Sequence, residues 1–287
     1  MFGLFKKKSD DSGHREPGPF GAFQLVELIN SGGMADIWLA TDVEKRTVAI
    51  RCLHSENRFD STARKRFING CDVLAQIQDH EFIVSHYSHG KIDGALYCAM
   101  EYVEGANLKL RMAGGDSVLT EHVGNILIDM GTALDHMHDR GFIHLDFKPE
   151  NILVTPNGSV RLVDFDLALP RPEFPKKLSK NPGTPAYMAP EQLLREPVDH
   201  RSDIFAFGAT AYELLTFQKP FPGENPDEVL RRQIDRDLDF RAPRELNPDI
   251  PIAVDRAIVK CLERDPDKRY PFMSVLLRDL QFALYVR

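Results

Sequence analysis

Four side chains in one stretch of the sequence carry groups that could act on a common anion: a carboxylate at Asp146, an ammonium at Lys148, an amide at Asn151 and, thirteen residues later, a second carboxylate at Asp164. Asn151 and Asp164 offer the oxygen ligands that a hard divalent cation such as Mg²⁺ takes. Lys148 can offset negative charge on a group held beside them. A single Asp in a loop is usually a turn former that spends its side chain on nearby backbone. Four such groups in this order ask instead for a shared site. They stand in His144-Leu145-Asp146-Phe147-Lys148-Pro149-Glu150-Asn151-Ile152-Leu153 and in Asp164-Phe165-Asp166, which follows the apolar run Val160-Arg161-Leu162-Val163. Further on comes Gly183-Thr184-Pro185-Ala186-Tyr187-Met188-Ala189-Pro190-Glu191, and much earlier Gly32-Gly33, whose missing side chains let backbone N–H groups approach a phosphate closely.

The elements that must position these groups fall into two kinds. Before residue 103 the sequence is rich in short β-type runs, at Phe23-Gln24-Leu25-Val26, Ile37-Trp38-Leu39-Ala40, Thr47-Val48-Ala49-Ile50 and Leu96-Tyr97-Cys98-Ala99-Met100. One helix interrupts them at about 61–77, anchored by Phe67, Val73, Leu74 and Ile77. After Gly105 the apolar spacing becomes helical. Thr120 is a candidate N-cap for a helix with the stripe Val123, Ile126, Leu127, Met130, Leu134 and Met137, and Gly141 suits the position just past its end. More helices are expected near 201–216, 226–235, 252–262 and 272–285. A β-rich part followed by a helical part implies an α+β chain of two unlike lobes. Residues 1–20 mix Lys, Asp, Ser, Gly and Pro and read as a flexible leader, with 21–103 and 104–287 as the two lobes.

Composition excludes several classes. The chain has 287 residues, 43% hydrophobic and 28% charged, with a net charge of −7, so nucleic acid is not an expected partner. No apolar run approaches the roughly 18–20 residues of a membrane span. Met1-Phe2-Gly3-Leu4-Phe5 and Lys6-Lys7-Lys8 are too short for a signal peptide and allow at most a weak contact of residues 1–8 with an anionic surface. Cys52, Cys71, Cys98 and Cys261 are widely spaced and fit buried thiols in a reducing cytoplasm, not a metal site or disulfide framework.

Order and spacing together resemble the catalytic loop, metal-binding loop and Ala-Pro-Glu segment of eukaryotic-like, bacterial-type serine/threonine protein kinases, over about residues 23–284. The resemblance implies the bilobal kinase fold, with a β-rich N-lobe holding one main helix and a helical C-lobe. It implies that Asp146 accepts a proton from the substrate hydroxyl and that Lys148 offsets charge on the transferring phosphate. Asn151 and Asp164 would hold Mg²⁺ or Mn²⁺ on the phosphates of ATP. Thr184 sits where such kinases carry a Thr that steadies the catalytic Asp. Glu191 with Arg269 matches a buried ion pair of the large lobe, and Asp203 matches the helix Asp that holds the catalytic-loop backbone. For the nucleotide, the resemblance places Gly32 and Gly33 over the phosphates and Ile29, Ile37, Ala49 and Leu153 around adenine. It makes Met100 the gatekeeper, Glu101 and Val103 part of the hinge, and Asn107 a ribose contact.

The pattern is broken at four places. Arg51 stands where the family has Lys after Val-Ala-Ile, and the Glu that such a Lys pairs with falls, by counting, on Gly70. Arg is planar and bulkier than a point-charge ammonium. Asn30 and Ala35 replace two loop glycines, Asp166 replaces the glycine of the metal loop, and Leu145 replaces the Arg that usually grips an activation-loop phosphate. Ser179, among Lys176, Lys177 and Lys180, reads as a solvated serine, with a regulatory site as the alternative. Two functions follow. One is a serine/threonine kinase, of full or reduced activity, acting on a protein substrate and taking its input from an activator or scaffold partner. The other is a pseudokinase that binds nucleotide or scaffolds a signalling assembly.

Overall fold

The computed structural model describes residues 15–180, 182–235 and 240–285. Contacts divide the chain into two units: the described residues up to Ile68 with His86–Tyr102, and Asn69–Ser85 with the residues from Val103 onward. The division falls inside the first helix, so Asn69–Ser85, expected in the first lobe, pack with the second unit. Residues 1–14, including the segment expected to touch a membrane surface, lie outside the described residues.

The first unit is built on a sheet of β1 (Gly18–Phe20), β2 (Phe23–Ser31), β3 (Ala35–Thr41), β4 (Thr47–Leu53), β5 (His86–Ile92) and β6 (Ala95–Glu101). All neighbours are antiparallel, in the order β1-β2-β3-β4-β6-β5. Alternation drives it: along β3 the side chains of Trp38 and Ala40 turn inward, and Val48, Ile50 and Cys52 do so along β4. They meet Phe20, Leu25 and Ala99 in one apolar core. Gly18–Phe20, placed in the leader by the sequence reading, is a paired strand; Phe20 is 1% exposed and packs edge-on against Tyr97 at 5.9 Å. Burial of that one ring is what fixes the strand. Helix α1 (Ser61–Ile77) has the expected bounds.

The second unit contains β7 (Ala106–Asn107), α2 (Leu108–Gly114), α3 (Ser117–Asp139), β8 (Phe142–Ile143), β9 (Ile152–Val154), β10 (Val160–Leu162), β11 (Leu169–Pro170), α4 (Pro190–Leu193), α5 (Arg201–Thr216), α6 (Pro226–Ile234), α7 (Pro243–Leu246), α8 (Ile252–Cys261) and α9 (Met273–Tyr285). On α3 the expected stripe is fully buried at Ile126, Leu127, Met130, Leu134 and Met137 and partly buried at Val123. Its start is corrected: Asp116, not Thr120, is the cap, its Oδ1 accepting from the Val118 N–H at 3.1 Å, while the Thr120 hydroxyl donates to the Ser117 carbonyl. Gly141 does follow the helix end, at φ 82°. Helix α5 is apolar on nearly every side and is buried accordingly, from Ser202 to Leu214. All four cysteines are buried free thiols. Among the described residues no helix is long and apolar enough to cross a membrane.

Candidate active site

Asp146, Lys148, Asn151, Asp164 and Thr184 all belong to the second unit. The loop that carries the first three is fixed from below by α5. Asp203, fully buried, accepts from the backbone N–H groups of His144 and Leu145, both at 2.8 Å, and pairs with His138 Nε2 at 2.9 Å. Burial alone would push this carboxyl up, but the His138 hydrogen bond and charge, with the His144 N–H, hold it below the ordinary carboxylate range. The two bonds clamp a strained turn, since Leu145 has φ 63°. A branched side chain in the left-handed region costs on the order of 1–3 kcal/mol unless its surroundings enforce it. His144, between Phe147 and Phe165, is buried, and desolvation keeps its imidazole pKa low.

This turn aims three polar groups at one another. Lys148 Nζ donates to Asp146 Oδ2 at 2.7 Å and to Thr184 Oγ1 at 2.8 Å, and Thr184 Oγ1 donates to Asp146 Oδ1 at 3.2 Å. Asn151 Nδ2 donates to the Asp146 carbonyl at 2.9 Å and lies 3.4 Å from Oδ2. Both donors of the amide thus point at Asp146, which leaves Asn151 Oδ1 as the ligand-capable atom. Asp164, at φ 63°, accepts from the Asp166 N–H at 3.3 Å. Among the described residues no group of three or more His, Cys, Asp or Glu could hold a metal alone.

Two departures from the family pattern turn out to be neighbours. A Cβ built on Gly70 would lie 2.2 Å from Asp166 Oδ1, closer than any real contact. The carboxylate of Asp166, 8% exposed, therefore occupies the space that a side chain at position 70 would need. The adjacent Asn69 Nδ2 donates to the Ala168 carbonyl at 2.9 Å, tying the helix to the same loop. At a third departure, Leu145 joins Ile143 and Val198, with Leu169 and Leu178 against them. The segment carrying Leu178 is pinned nearby by reciprocal backbone bonds between Lys176 and Val198 at 2.9 and 3.0 Å. An apolar clasp stands where the family's phosphate-gripping Arg would be.

The expected ion pair also forms. Arg269 reaches Glu191 through two parallel bonds of 2.7 Å, and Ser202 Oγ donates to Glu191 Oε1 at 2.8 Å. The sequence reading missed Glu213, which accepts from Lys109 Nζ at 2.6 Å and from Tyr187 OH at 2.5 Å. No local spacing signals a contact spanning such separations.

The residues expected at the nucleotide are spread over both units. In the first, Arg51 pairs with Ile37 across β3 and β4, Ala49 with Met100 and Val48 with Glu101 across β4 and β6. The Gly32 N–H donates to the Ala35 carbonyl at 3.0 Å, closing the turn that contains Gly33, and Ile29 is exposed beside it. The Arg51 guanidinium lies 4.9 Å over the Phe67 ring. In the second unit, Asn107 pairs with Leu153 in register, just beyond Val103. Asn107 Oδ1 accepts from the Leu110 N–H at 2.9 Å as the cap of α2.

A six-stranded antiparallel unit and a helical unit carrying these loops define the protein-kinase class. The family model for the protein kinase domain matches residues 23–280, and the chain belongs to that family. It is 34% identical over 271 residues to a probable serine/threonine-protein kinase PknB of Corynebacterium glutamicum, covering 90% of this chain and 41% of the relative. It is 32% identical over 272 residues to a probable serine/threonine-protein kinase of Streptomyces coelicolor, covering 92% of this chain and 40% of the relative. The serine/threonine-protein kinase PrkC of Bacillus subtilis is 31% identical over 265 residues, at 92% and 40% coverage. The chain thus spans about two fifths of the length of these relatives. Members of the family in general use ATP and a divalent metal.

Proposed function

We propose that the chain is a serine/threonine protein kinase that transfers the γ-phosphate of ATP to a hydroxyl of a protein substrate. The observation that carries this is the closed set of bonds among Asp146, Lys148, Thr184 and Asn151. In this reading the substrate oxygen bonds to the γ-phosphorus as the bond to the β–γ bridging oxygen breaks, and ADP leaves. Asp146 takes the hydroxyl proton. Thr184 holds the Asp146 carboxylate in place, and Lys148 offsets charge on the transferring group. Asn151 Oδ1 and Asp164 hold Mg²⁺ or Mn²⁺, which supplies charge neutralisation on the phosphates when bound. Gly32 and Gly33 offer backbone N–H groups to the phosphates, and Arg51 offers its guanidinium. Ile29, Ile37, Ala49 and Leu153 serve adenine, with Met100 as gatekeeper, Glu101 and Val103 as hinge, and the Asn107 amide for ribose. The setting is a reducing cytoplasm, in keeping with the four buried thiols, with an activator or scaffold partner supplying the input.

The departures at 70 and 166 then count as one exchange: a carboxylate given up by α1 is returned by the metal loop at the same place. In the kinase reading Asp166 stands in the space that the family's Glu at position 70 would take. A second reading, a pseudokinase that binds nucleotide or scaffolds without transfer, is favoured by Arg51, whose guanidinium is drawn over Phe67. Incubation with ATP and a generic protein substrate, in Mg²⁺ and then Mn²⁺, followed by phosphoamino-acid analysis, separates the two. Phosphoserine or phosphothreonine above an Asp146→Asn control is expected. ATP uptake by calorimetry with no label in either metal would establish the pseudokinase instead.

A further inference from the structure

Helices α8 and α9 of the second unit leave between them a groove of about 500 Å³ that shares no residue with the site around Asp146. That volume falls within the range of binding clefts, about 300–1,000 Å³. Ile252, Arg256 and Lys260 recur every four residues along α8, and Ala253 and Ala257 stand beside them. This spacing puts all five on one helix face, about 12 Å long at the helical rise. The small alanines keep that face open. The opposite wall is Arg278, Asp279 and Phe282, one turn of α9. The groove is graded from charged to apolar. Lys260 Nζ lies 4.1 Å from the Tyr270 ring centroid, and the Tyr270 hydroxyl donates to Asp279 Oδ2 at 3.2 Å, so the last turn of α8 faces Arg278 and Asp279. Ile252 and Phe282 are left at the other end, 54% and 67% exposed. Neither Arg256 nor Lys260 forms an ion pair among the described residues, and Arg278 meets Asp279 only at 3.6 Å between exposed side chains. Three cations thus stand against one carboxylate, on a chain whose net charge is −7.

We propose that this groove docks an acidic amphipathic helix of a partner protein. An apolar side chain of that helix lies over Ala253 and Ala257, against Ile252 and Phe282, and its carboxylates meet Arg256, Lys260 and Arg278. Two helix ridges with a furrow between them are the shape that a third helix fills, through apolar anchors three and four residues apart. The exposed Ile252 and Phe282 supply the apolar contact. The cations supply the choice of partner: an acidic chain repels an acidic ligand everywhere except where positive charge is concentrated, so the charge fixes where such a helix lands. A nucleic-acid strand would bring phosphates against Asp279 and the apolar end, and an anionic membrane would span the furrow without filling it. Docking here needs no phosphoryl transfer by this chain.

The test titrates the full chain into a fluorescein-labelled designed helix of about 16 residues, long enough to hold its shape, and reads anisotropy. The helix carries Leu at helical spacing along one face and Glu along both flanks. A second peptide has Gln for every Glu, and a third has the first one's composition in scrambled order. The Glu helix should bind at least ~10-fold tighter than either, as one or two charge-assisted bonds imply. Its advantage should shrink as salt rises from ~0.05 to ~0.5 M. Arg256→Glu/Lys260→Glu should abolish the preference with an unchanged thermal midpoint, since both side chains are exposed. Should that variant fail to fold, Phe282→Ser serves in its place and should weaken the Glu helix at least ~10-fold through the lost apolar contact. Equal affinity for the Glu and Gln helices, or for the ordered and scrambled peptides, would overturn the proposal. So would an absence of binding, a preference that survives in these variants, or uptake of a single-stranded RNA or of anionic vesicles in place of the peptide.

Discussion

The loop set of the second unit and the strand set of the first meet the family pattern in opposite ways. Around Asp146, Leu145 aside, the expected polar groups are present and bonded to one residue: Lys148 and Thr184 meet its carboxylate and Asn151 its carbonyl. On the strands, Gly32 and Gly33 are kept but other positions expected near phosphate have changed, with Arg51 over an aromatic ring and Asn30 and Ala35 in the glycine turn. The contrast separates two tasks. Moving a proton and holding a metal need specific groups at specific atoms, whereas cradling a triphosphate is shared by many N–H groups and tolerates substitution. Two of the departures in the second unit, Gly70 and Asp166, compensate each other.

The comparison can be broken most forcefully at the scaffold of the intact region. Arg269→Ala leaves Glu191 buried at 4% exposure without its bidentate partner. A loss of about 3–5 kcal/mol is expected by urea unfolding; a loss under ~1 kcal/mol would show that the pair is not holding this unit together. Next is the interlock between departures. Gly70→Ala should cost about 1–3 kcal/mol, because its methyl meets the Asp166 carboxylate. Combined with Asp166→Gly it should recover most of that loss, and additive effects of the two changes would contradict the interlock.

Thr184→Ala sharpens the contrast on the chemical side. It removes the hydroxyl that meets both Asp146 and Lys148, so kcat should fall by on the order of 10-fold with little change in KM for ATP. Arg51→Lys should do the reverse, moving KM more than kcat. The smallest effect is electrostatic. Burial, with the charge of Glu81, pushes the Asp129 carboxyl up to about 6. Its folded pKa thus exceeds its unfolded value of about 3.9, so its ionisation destabilises the fold as pH rises between those two values. Asp129→Asn should therefore raise the unfolding midpoint at pH 8, by roughly 1 kcal/mol at most after allowance for solvent screening of a half-buried group, and leave it unchanged at pH 3.

What the sequence made legible was short-range. Asp146, Lys148 and Asn151 lie within six residues, and the bounds of α1 and α5 follow from apolar spacing alone. The edge strand β5 escaped notice because His86-Tyr87-Ser88-His89-Gly90-Lys91-Ile92 has little β-type alternation; its pairing with β6 decides it. The α3 cap was misread because Asp116 and Thr120 are both acceptable caps, and only the chain path after α2 selects Asp116. The fit between Gly70 and Asp166 is a tertiary fact that no local pattern encodes. At positions 70 and 166 the sequence showed a carboxylate lost and another added, where the structure shows one space filled from the other side.

The most direct measurement is the single-turnover rate of phosphate transfer from MgATP to a protein substrate for the unmodified chain and for Asp146→Asn, with ATP affinity measured in parallel. The account predicts a loss of about 100-fold or more in rate at an unchanged dissociation constant. Equal rates in the two proteins would contradict the assignment of Asp146 as the proton acceptor and the claim that the bonded set around it performs the chemistry.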